Sequence, residues 1–146
     1  MKWRILTIGR PSLTYAKTGS EEYLKRLVRY TSVEVVSVAK ESGQAKNGSA
    51  LLSASEGDLR IVLDERGQDL TTRDLAGKIE TWQLDSVKRV SVLIGGADGH
   101  GADVRSRADL TLRLGALTLQ HELALLVWLE QLYRVHTLLK GEPYHR

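Results

Sequence analysis

The chain has 146 residues, with 21 Lys and Arg against 18 Asp and Glu, 42% hydrophobic residues, two prolines, and neither cysteine nor phenylalanine. Disulfides and every metal, haem or iron–sulfur site built on cysteine are therefore excluded, and a fold of this length buries about 70% of the surface its unfolded chain exposes, so one globular domain over residues 1–146 needs no staples. A net charge of +3 permits a nucleic-acid partner but is too small to mark one by itself.

Lys2 to Ile8 is rich in β-formers and is broken by Gly9, Pro11 and Ser12, which predicts a first strand and a turn. Ser12 is placed to cap the following helix, Leu13 to about Arg29, where Leu13, Ala16, Tyr23, Leu24, Leu27 and Val28 recur at helical spacing across a weakening Gly19. Val33 to Val38 predicts a second strand. Ala39 to Asp58, rich in glycine and serine, reads as a mobile connection in which only Ala50, Leu51, Leu52 and Ala54 support a short helix. Leu59 to Asp64 is a compact apolar strand that Glu65-Arg66-Gly67-Gln68 should end. Thr71 and Asp74 form a capping-box-like start to a helix through Leu75, Ile79 and Trp82. Val90 to Ile94 is the most strand-like run and stops at Gly95-Gly96. A weak helix over Ala102 to Ala108, a short strand around Leu110 to Leu114 and a long helix from about Gln120 to Lys140 complete the order. Such alternation predicts a mostly parallel sheet with helices on both faces. No run approaches the roughly 20 apolar residues of a bilayer span, and Met1 to Gly9 is too short and charged for a signal peptide's core. A cytoplasmic protein without a membrane partner is expected.

Five features could carry chemistry. Gly95 to Gly101 follows a buried parallel strand, where glycines let backbone amides approach a ligand, although a plain tight turn explains it equally well. It lacks the lysine of a P-loop and the spacing of a dinucleotide fingerprint. Leu114 to Leu119 is an apolar loop that either packs in the core or forms a wall for an adenine ring. The last helix is apolar nearly all round through Leu123, Leu125, Leu126, Val127, Trp128 and Leu129, which points to the sheet on one side and a second subunit on the other, with complete burial inside one chain as the alternative. Gly141 and Pro143 stop that helix and stiffen a tail ending in Tyr144, His145 and Arg146. Lys17, Lys25, Arg26 and Arg29, with Tyr23 and Tyr30, suit RNA phosphates and unstacked bases, though a solvated helix face is the commoner meaning of such charges. His100 and His136 lack metal-ligand partners at recognisable spacing, so no metal is expected.

In order and spacing, Ile94-Gly95-Gly96-x-x-Gly99, Leu117-Thr118-Leu119-x-His121, Glu130-Gln131-Leu132-Tyr133-Arg134 and Gly141-Glu142-x-Tyr144-His145-Arg146 resemble the bacterial ribosomal RNA large subunit methyltransferase H family. Tyr23-Leu24-x-Arg26 and Leu63-Asp64-x-x-Gly67 extend the likeness over nearly the whole chain. The resemblance implies a single SPOUT-type α/β domain with a C-terminal trefoil knot, a homodimer, and S-adenosyl-L-methionine (SAM) as cofactor. It also implies methylation of N3 of a pseudouridine in 23S ribosomal RNA, within the large subunit or the assembled 70S ribosome. By motif position, Leu63, Gly95, Leu114, Gly115, Ala116, Leu117, Thr118 and Leu119 would wrap the cofactor. Tyr144, His145 and Arg146 would approach the methyl-transfer site, where His145 could take the imide proton and Arg146 could stabilise developing charge or hold a phosphate. Gln120 stands where the family usually has proline, Leu125 where relatives often carry arginine, and Ala39 to Asp58 is shorter than the family's second helix. These departures keep open a non-catalytic ribosomal RNA or ribosome-binding protein of the same fold, and an α/β enzyme using another nucleotide is a third reading.

Overall fold

Period-two alternation sets the two faces of the central sheet. In the computed structural model, which describes residues 1–146, the chain runs β1 (Lys2–Ile8), α1 (Thr14–Leu27), β2 (Ser32–Val38), α2 (Gln44–Ala54), β3 (Leu59–Asp69), α3 (Thr72–Leu84), β4 (Arg89–Ile94), α4 (Ala102–Ser106), β5 (Leu110–Arg113) and α5 (His121–Leu139). The strands form one sheet in the order β2-β1-β4-β3-β5, with every neighbouring pair parallel. Trp3, Ile5, Ile61, Leu63, Val92 and Leu112 face a large core completed by Leu27, Leu75 and Ile79 and by Leu125, Trp128, Leu129 and Leu132 of α5. Leu6, Ile8, Val62 and Leu93 face a smaller core with Leu51, Leu52 and Val104. Thus α1, α3 and α5 cover one face while α2 and α4 cover the other. The predicted α/β order stands, and the sheet is wholly parallel.

Three local expectations are corrected. Ala39 to Asp58 is not a bare connection, because Gln44–Ala54 is helical. Leu51 and Leu52 are buried against the sheet, and the carbonyls at the helix end meet arginines from distant strands: Arg4 Nη1 donates to Ala54 O at 2.6 Å and Arg60 Nη2 to Leu52 O at 2.9 Å. Ser12 does not cap α1, whose N-cap is Leu13, a residue with no side-chain acceptor. The carboxylate of Glu122 on α5 instead pins the chain leading into the helix, accepting the N–H groups of Ser12 and Leu13 at 2.5 and 3.0 Å and the Ser12 hydroxyl at 3.3 Å.

Glu65-Arg66-Gly67-Gln68 also fails to end β3. Leu63 and Gln68 both pair with Leu112, so Asp64 to Gly67 loop out as a bulge and the strand resumes to Asp69. Gly67 is required there, since a Cβ would lie 2.6 Å from the Leu112 backbone. The capping box of α3 forms as expected, with Asp74 N–H donating to Thr71 Oγ1 and Thr71 N–H to Asp74 Oδ2.

Candidate functional site

The carboxyl ends of β3, β4 and β5 open onto a cavity of about 580 Å³, inside the roughly 300–1,000 Å³ range of small-molecule sites. Parallel α/β sheets place ligand sites at these strand ends. Three segments wall the cavity: Leu63 to Arg66 from the β3 bulge, Ile94 to His100 from the glycine loop, and Arg113 to Gly115 with Leu117 to His121 leading into α5. Gln44 and Ala124 complete it. Leu63, Gly95, Leu114, Gly115, Leu117, Thr118 and Leu119 are therefore brought together as expected from their motifs, whereas Ala116 is exposed and stands outside the lining. Glu65, Arg66 and Gln44 also line it without having been singled out, and Asp64, His100 and His121, which stand in the quoted motifs and the glycine loop, join the lining although no role was assigned to them. Asp64 is marked twice in the sequence, by its motif and by its place just past an apolar strand run.

The glycine loop is a tight turn and a cavity wall at once. Gly99 has φ +68°, and its N–H donates to Gly96 O at 3.0 Å. A Cβ on Gly95 would come within 2.9 Å of the Gly99 backbone, so the two glycines permit a close chain approach. Gln44 Nε2 ties the loop to α2 by donating to Asp98 O at 2.7 Å. Buried His100 anchors its far end, with Nε2 donating to Leu93 O at 3.1 Å. Burial holds the His100 pKa below its ordinary value, against the upward pull of the Leu93 carbonyl and Asp64, so the ring is neutral. Arg105 donates to His100 O at 2.6 Å and lies 3.6 Å from Asp64 Oδ2.

The electrostatics of the lining favour a cationic ligand. Asp64, Glu65 and Asp98 line it and no lysine does; Asp64 is paired with Arg66 and Arg105 at 4.0 and 3.6 Å, as Arg113 is with Asp69 through bonds of 2.8 and 2.6 Å, which leaves Glu65 and Asp98 as the carboxylates without an arginine partner. Such a rim suits an ammonium or sulfonium group better than a polyphosphate.

The tail is ordered and lies elsewhere. Gly141, at φ +71°, ends α5 in a Schellman arrangement, its N–H donating to Leu138 O at 3.0 Å and that of Glu142 to Thr137 O at 2.9 Å. Tyr30 then donates its hydroxyl to Glu142 Oε2 at 2.6 Å. The Tyr144 ring packs edge-on against Tyr133 at 4.7 Å, with its hydroxyl 3.2 Å from Glu130 Oε1 and 3.5 Å from the Tyr23 hydroxyl. Burial, reinforced by Tyr23 and Glu130, pushes the Tyr144 phenol well above its ordinary range, so it stays protonated. Arg134 lies 4.8 Å from the Tyr144 ring centre, donates to Glu130 Oε1 at 3.0 and 2.6 Å, and donates to His145 Nδ1 at 3.3 Å. Arg146 is exposed.

Helix α1 brings its basic residues to the same place. Arg26 lies over both Tyr23 and Tyr133, at 5.4 and 5.5 Å, and Arg29 over Tyr30 at 5.5 Å, while Lys25 is exposed. Two separate sequence features thus form one basic and aromatic patch. None of Tyr144, His145 and Arg146 lines the cavity of its own chain. Tyr144 rests against Glu130, nine residues along α5 from His121, which at a rise of 1.5 Å per residue is roughly 14 Å.

The width of the apolar girdle on α5 does not by itself demand a second subunit. Leu125, Trp128 and Leu129 are buried inside one chain, between α1, α3 and the sheet, and Leu126 packs over Gly19. What remains half-buried is a narrower strip including Leu123, Ala124 and Val127. Gln120 serves as N-cap of α5, its Oε1 accepting from Glu122 N at 2.8 Å and Leu123 N at 3.1 Å.

The Glu122 clamp makes stability depend on acid. Burial raises its pKa, but the N–H donors of Leu13 and Ser12 outweigh burial and hold it below the ordinary 4.5. A depressed folded pKa contributes stability at pH values above the unfolded pKa, which is lost as pH falls through the folded value. Glu122→Gln is expected to cost about 1–3 kcal/mol at pH 7 and to differ progressively less from the wild type as pH falls below 4.5. Urea melts across that range measure it; an equal loss at pH 7 and pH 3 would contradict it.

No helix is long and apolar enough to cross a membrane, and no cluster of three or more His, Asp or Glu could hold a metal ion. The profile of the family described as "Predicted SPOUT methyltransferase" matches residues 1–145. Ribosomal RNA large subunit methyltransferase H of Thermus thermophilus is 50% identical over 146 residues, covering 100% of this chain and 99% of the relative. The protein of the same name from Deinococcus deserti is 41% identical with full coverage of both chains. Among solved structures, a probable methyltransferase from Bordetella pertussis aligns over 92% of this chain and 95% of its own with TM-score 0.61 at 17% identity. The tRNA (m1G37) methyltransferase of Aquifex aeolicus aligns over 100% of this chain and 75% of its own with TM-score 0.56 at 15% identity, a likeness of fold alone.

Proposed function

This chain belongs to the SPOUT methyltransferase family, and from that premise we propose that it is a SAM-dependent enzyme that methylates N3 of a pseudouridine in 23S ribosomal RNA, on the large subunit or the 70S ribosome in the cytoplasm. The observation that carries the reading is the cavity at the carboxyl ends of β3, β4 and β5, walled by the segments whose motifs resemble those of the family. Its volume, its apolar wall of Leu63, Leu114, Leu117 and Leu119, and its carboxylates suit an adenosyl group carrying positive charge. The same carboxylates disfavour the alternative of a triphosphate nucleotide.

A C-terminal trefoil knot within a single SPOUT domain is part of this proposal. It is supported by the path of residues 114–120, which leave the edge strand β5 and cross the ends of β3 and β4 to reach α5, where Glu122 meets the start of α1. Homodimerisation is part of it too. The separation of the tail from its own cavity supports a site in which Tyr144, His145 and Arg146 of one subunit serve the cavity of the other, with Lys25, Arg26 and Arg29 beside them to hold RNA phosphates.

When bound in the cavity, SAM would supply an electrophilic methyl group for N3, with the electron pair of the broken S–C bond left on sulfur, the pair for the new bond coming from N3 and the N3 proton going to solvent. The protein's own task is then alignment, water exclusion and stabilisation of charge on the two ring carbonyls flanking N3. The glycine loop and residues 114–119 hold the donor, and the tail addresses the base.

Calorimetry with SAM, followed by methyl incorporation into 23S rRNA, 50S subunits and 70S ribosomes, tests this reading. SAM binding with methylation of one of the three is the expected result. RNA binding without SAM binding would identify a non-catalytic ribosome-binding protein instead. Gly95→Val is expected to abolish SAM binding while preserving far-UV circular dichroism. The branched side chain collides with the Gly99 backbone and displaces the loop itself as well as the ligand. Unchanged SAM affinity would move the site elsewhere.

A further inference from the structure

We propose that Arg134 is a positioning residue that fixes the tautomer of His145, so that His145 meets the substrate as a hydrogen-bond donor through Nε2 and not as the base that removes the N3 proton. This rests on the methyltransferase reading and assigns the tail its chemistry. A guanidinium has only donors, so in the contact of 3.3 Å between Arg134 Nη1 and His145 Nδ1 the imidazole nitrogen must offer its lone pair. A neutral imidazole carries one N–H, which is thereby placed on Nε2.

Arg134 is not free to yield. Its Nε and Nη2 both donate to Glu130 Oε1, and its plane lies over the Tyr144 ring; Glu130 is held in turn by the Tyr144 hydroxyl and, through Oε2, by Gln131 Nε2 at 2.8 Å. Arg134 and Glu130 are only 26% and 19% exposed, which protects the pair from solvent. A proton arriving on Nδ1 would face a guanidinium N–H and break the contact, and Nε2 has no lone pair to accept one. The charged and titratable groups around this point are Arg134, Glu130 and Tyr133 of α5, Tyr23 and Arg26 of α1, and Tyr144 and Arg146 of the tail. None of them is placed to relay a proton away from His145.

The arrangement suits a different step. As the N3–H bond breaks and its proton passes to water, negative charge spreads onto the flanking carbonyl oxygens, and an N–H aimed at one of them stabilises it.

Two measurements test the proposal. Nitrogen-15 NMR of histidine-labelled protein, without SAM or RNA, is expected to show His145 protonated at Nε2 and bare at Nδ1 at neutral pH, with the two tautomers mixing in Arg134→Gln. A predominant Nδ1–H form in the wild type would overturn it. In single-turnover methylation, His145→Gln keeps an N–H donor without a basic nitrogen and is expected to retain at least about a tenth of the rate with an unchanged pH profile. His145→Ala is expected to lose about 100-fold. If Gln is as slow as Ala and a limb of the wild-type pH profile vanishes in both, His145 is the base and the proposal falls. A wild-type protein that methylates nothing would defeat the methyltransferase reading instead, and the tautomer would still decide the role of Arg134.

Discussion

Removing Tyr144, His145 and Arg146 is expected to leave a folded protein with unchanged SAM affinity whose single-turnover methylation falls by roughly 100-fold or more, the scale of lost orienting and polar groups. SAM affinity is spared because the cavity walls, formed by the β3 bulge, the glycine loop and the segment from Arg113 to His121, stay whole, while the tail addresses the base. The fold is spared because Tyr144 meets only Tyr23, Tyr133, Glu130 and Arg134 at the margin of the large core, and none of the three tail residues is itself part of either core. Some stability is lost with the Tyr144 ring on Tyr133, about 0.5–1.5 kcal/mol for an aromatic pair. An idle tail makes the opposite forecast, a normal rate in the truncated protein. Near-normal methylation of 70S ribosomes by this variant would dismiss the tail from the site and leave its ordered packing a purely structural matter.

Leu129→Asp should yield no folded protein. Leu129 is fully buried in the core shared by α5, α1, α3 and the sheet. Deleting such a leucine costs about 2.7–5 kcal/mol, and the carboxylate adds either an unpaired buried charge or the cost of staying protonated. Together these approach the whole stability of a domain, roughly 5–15 kcal/mol. Circular dichroism and solubility decide the matter. Leu123→Asp is the informative companion, because Leu123 is only half-buried on the same helix. It is expected to stay folded and to sediment as a monomer at micromolar concentration if the exposed strip of α5 joins two subunits. A folded, soluble Leu129→Asp protein would mean that this core is far more tolerant than its packing implies.

Whatever rests on neighbours a few residues apart was legible in the order of the amino acids. Alternation in Trp3 to Ile8 and Val90 to Ile94 set the strands and their faces, the Thr71–Asp74 reciprocal bonds set the start of α3, and Gly141 set the end of α5. The order of the elements and the glycine loop that walls the cavity could be read for the same reason. Groups remote in the chain settled the rest. Helix α2, which Ala50, Leu51, Leu52 and Ala54 only faintly mark, is held at its carbonyl end by Arg4, 50 residues from Ala54, as well as by the nearby Arg60. The β3 bulge that brings Asp64, Glu65 and Arg66 to the cavity depends on Gly67 meeting the Leu112 backbone. The chain entering α1 is pinned by Glu122, 110 residues away from Ser12. The same holds for the tail: its residues were visible as a motif, but the proton on His145 is assigned only by Arg134, which folding back across Gly141 brings within hydrogen-bond reach. Hydrogen-bond acceptance is a property of distance and direction in space, and a sequence specifies those only through the fold.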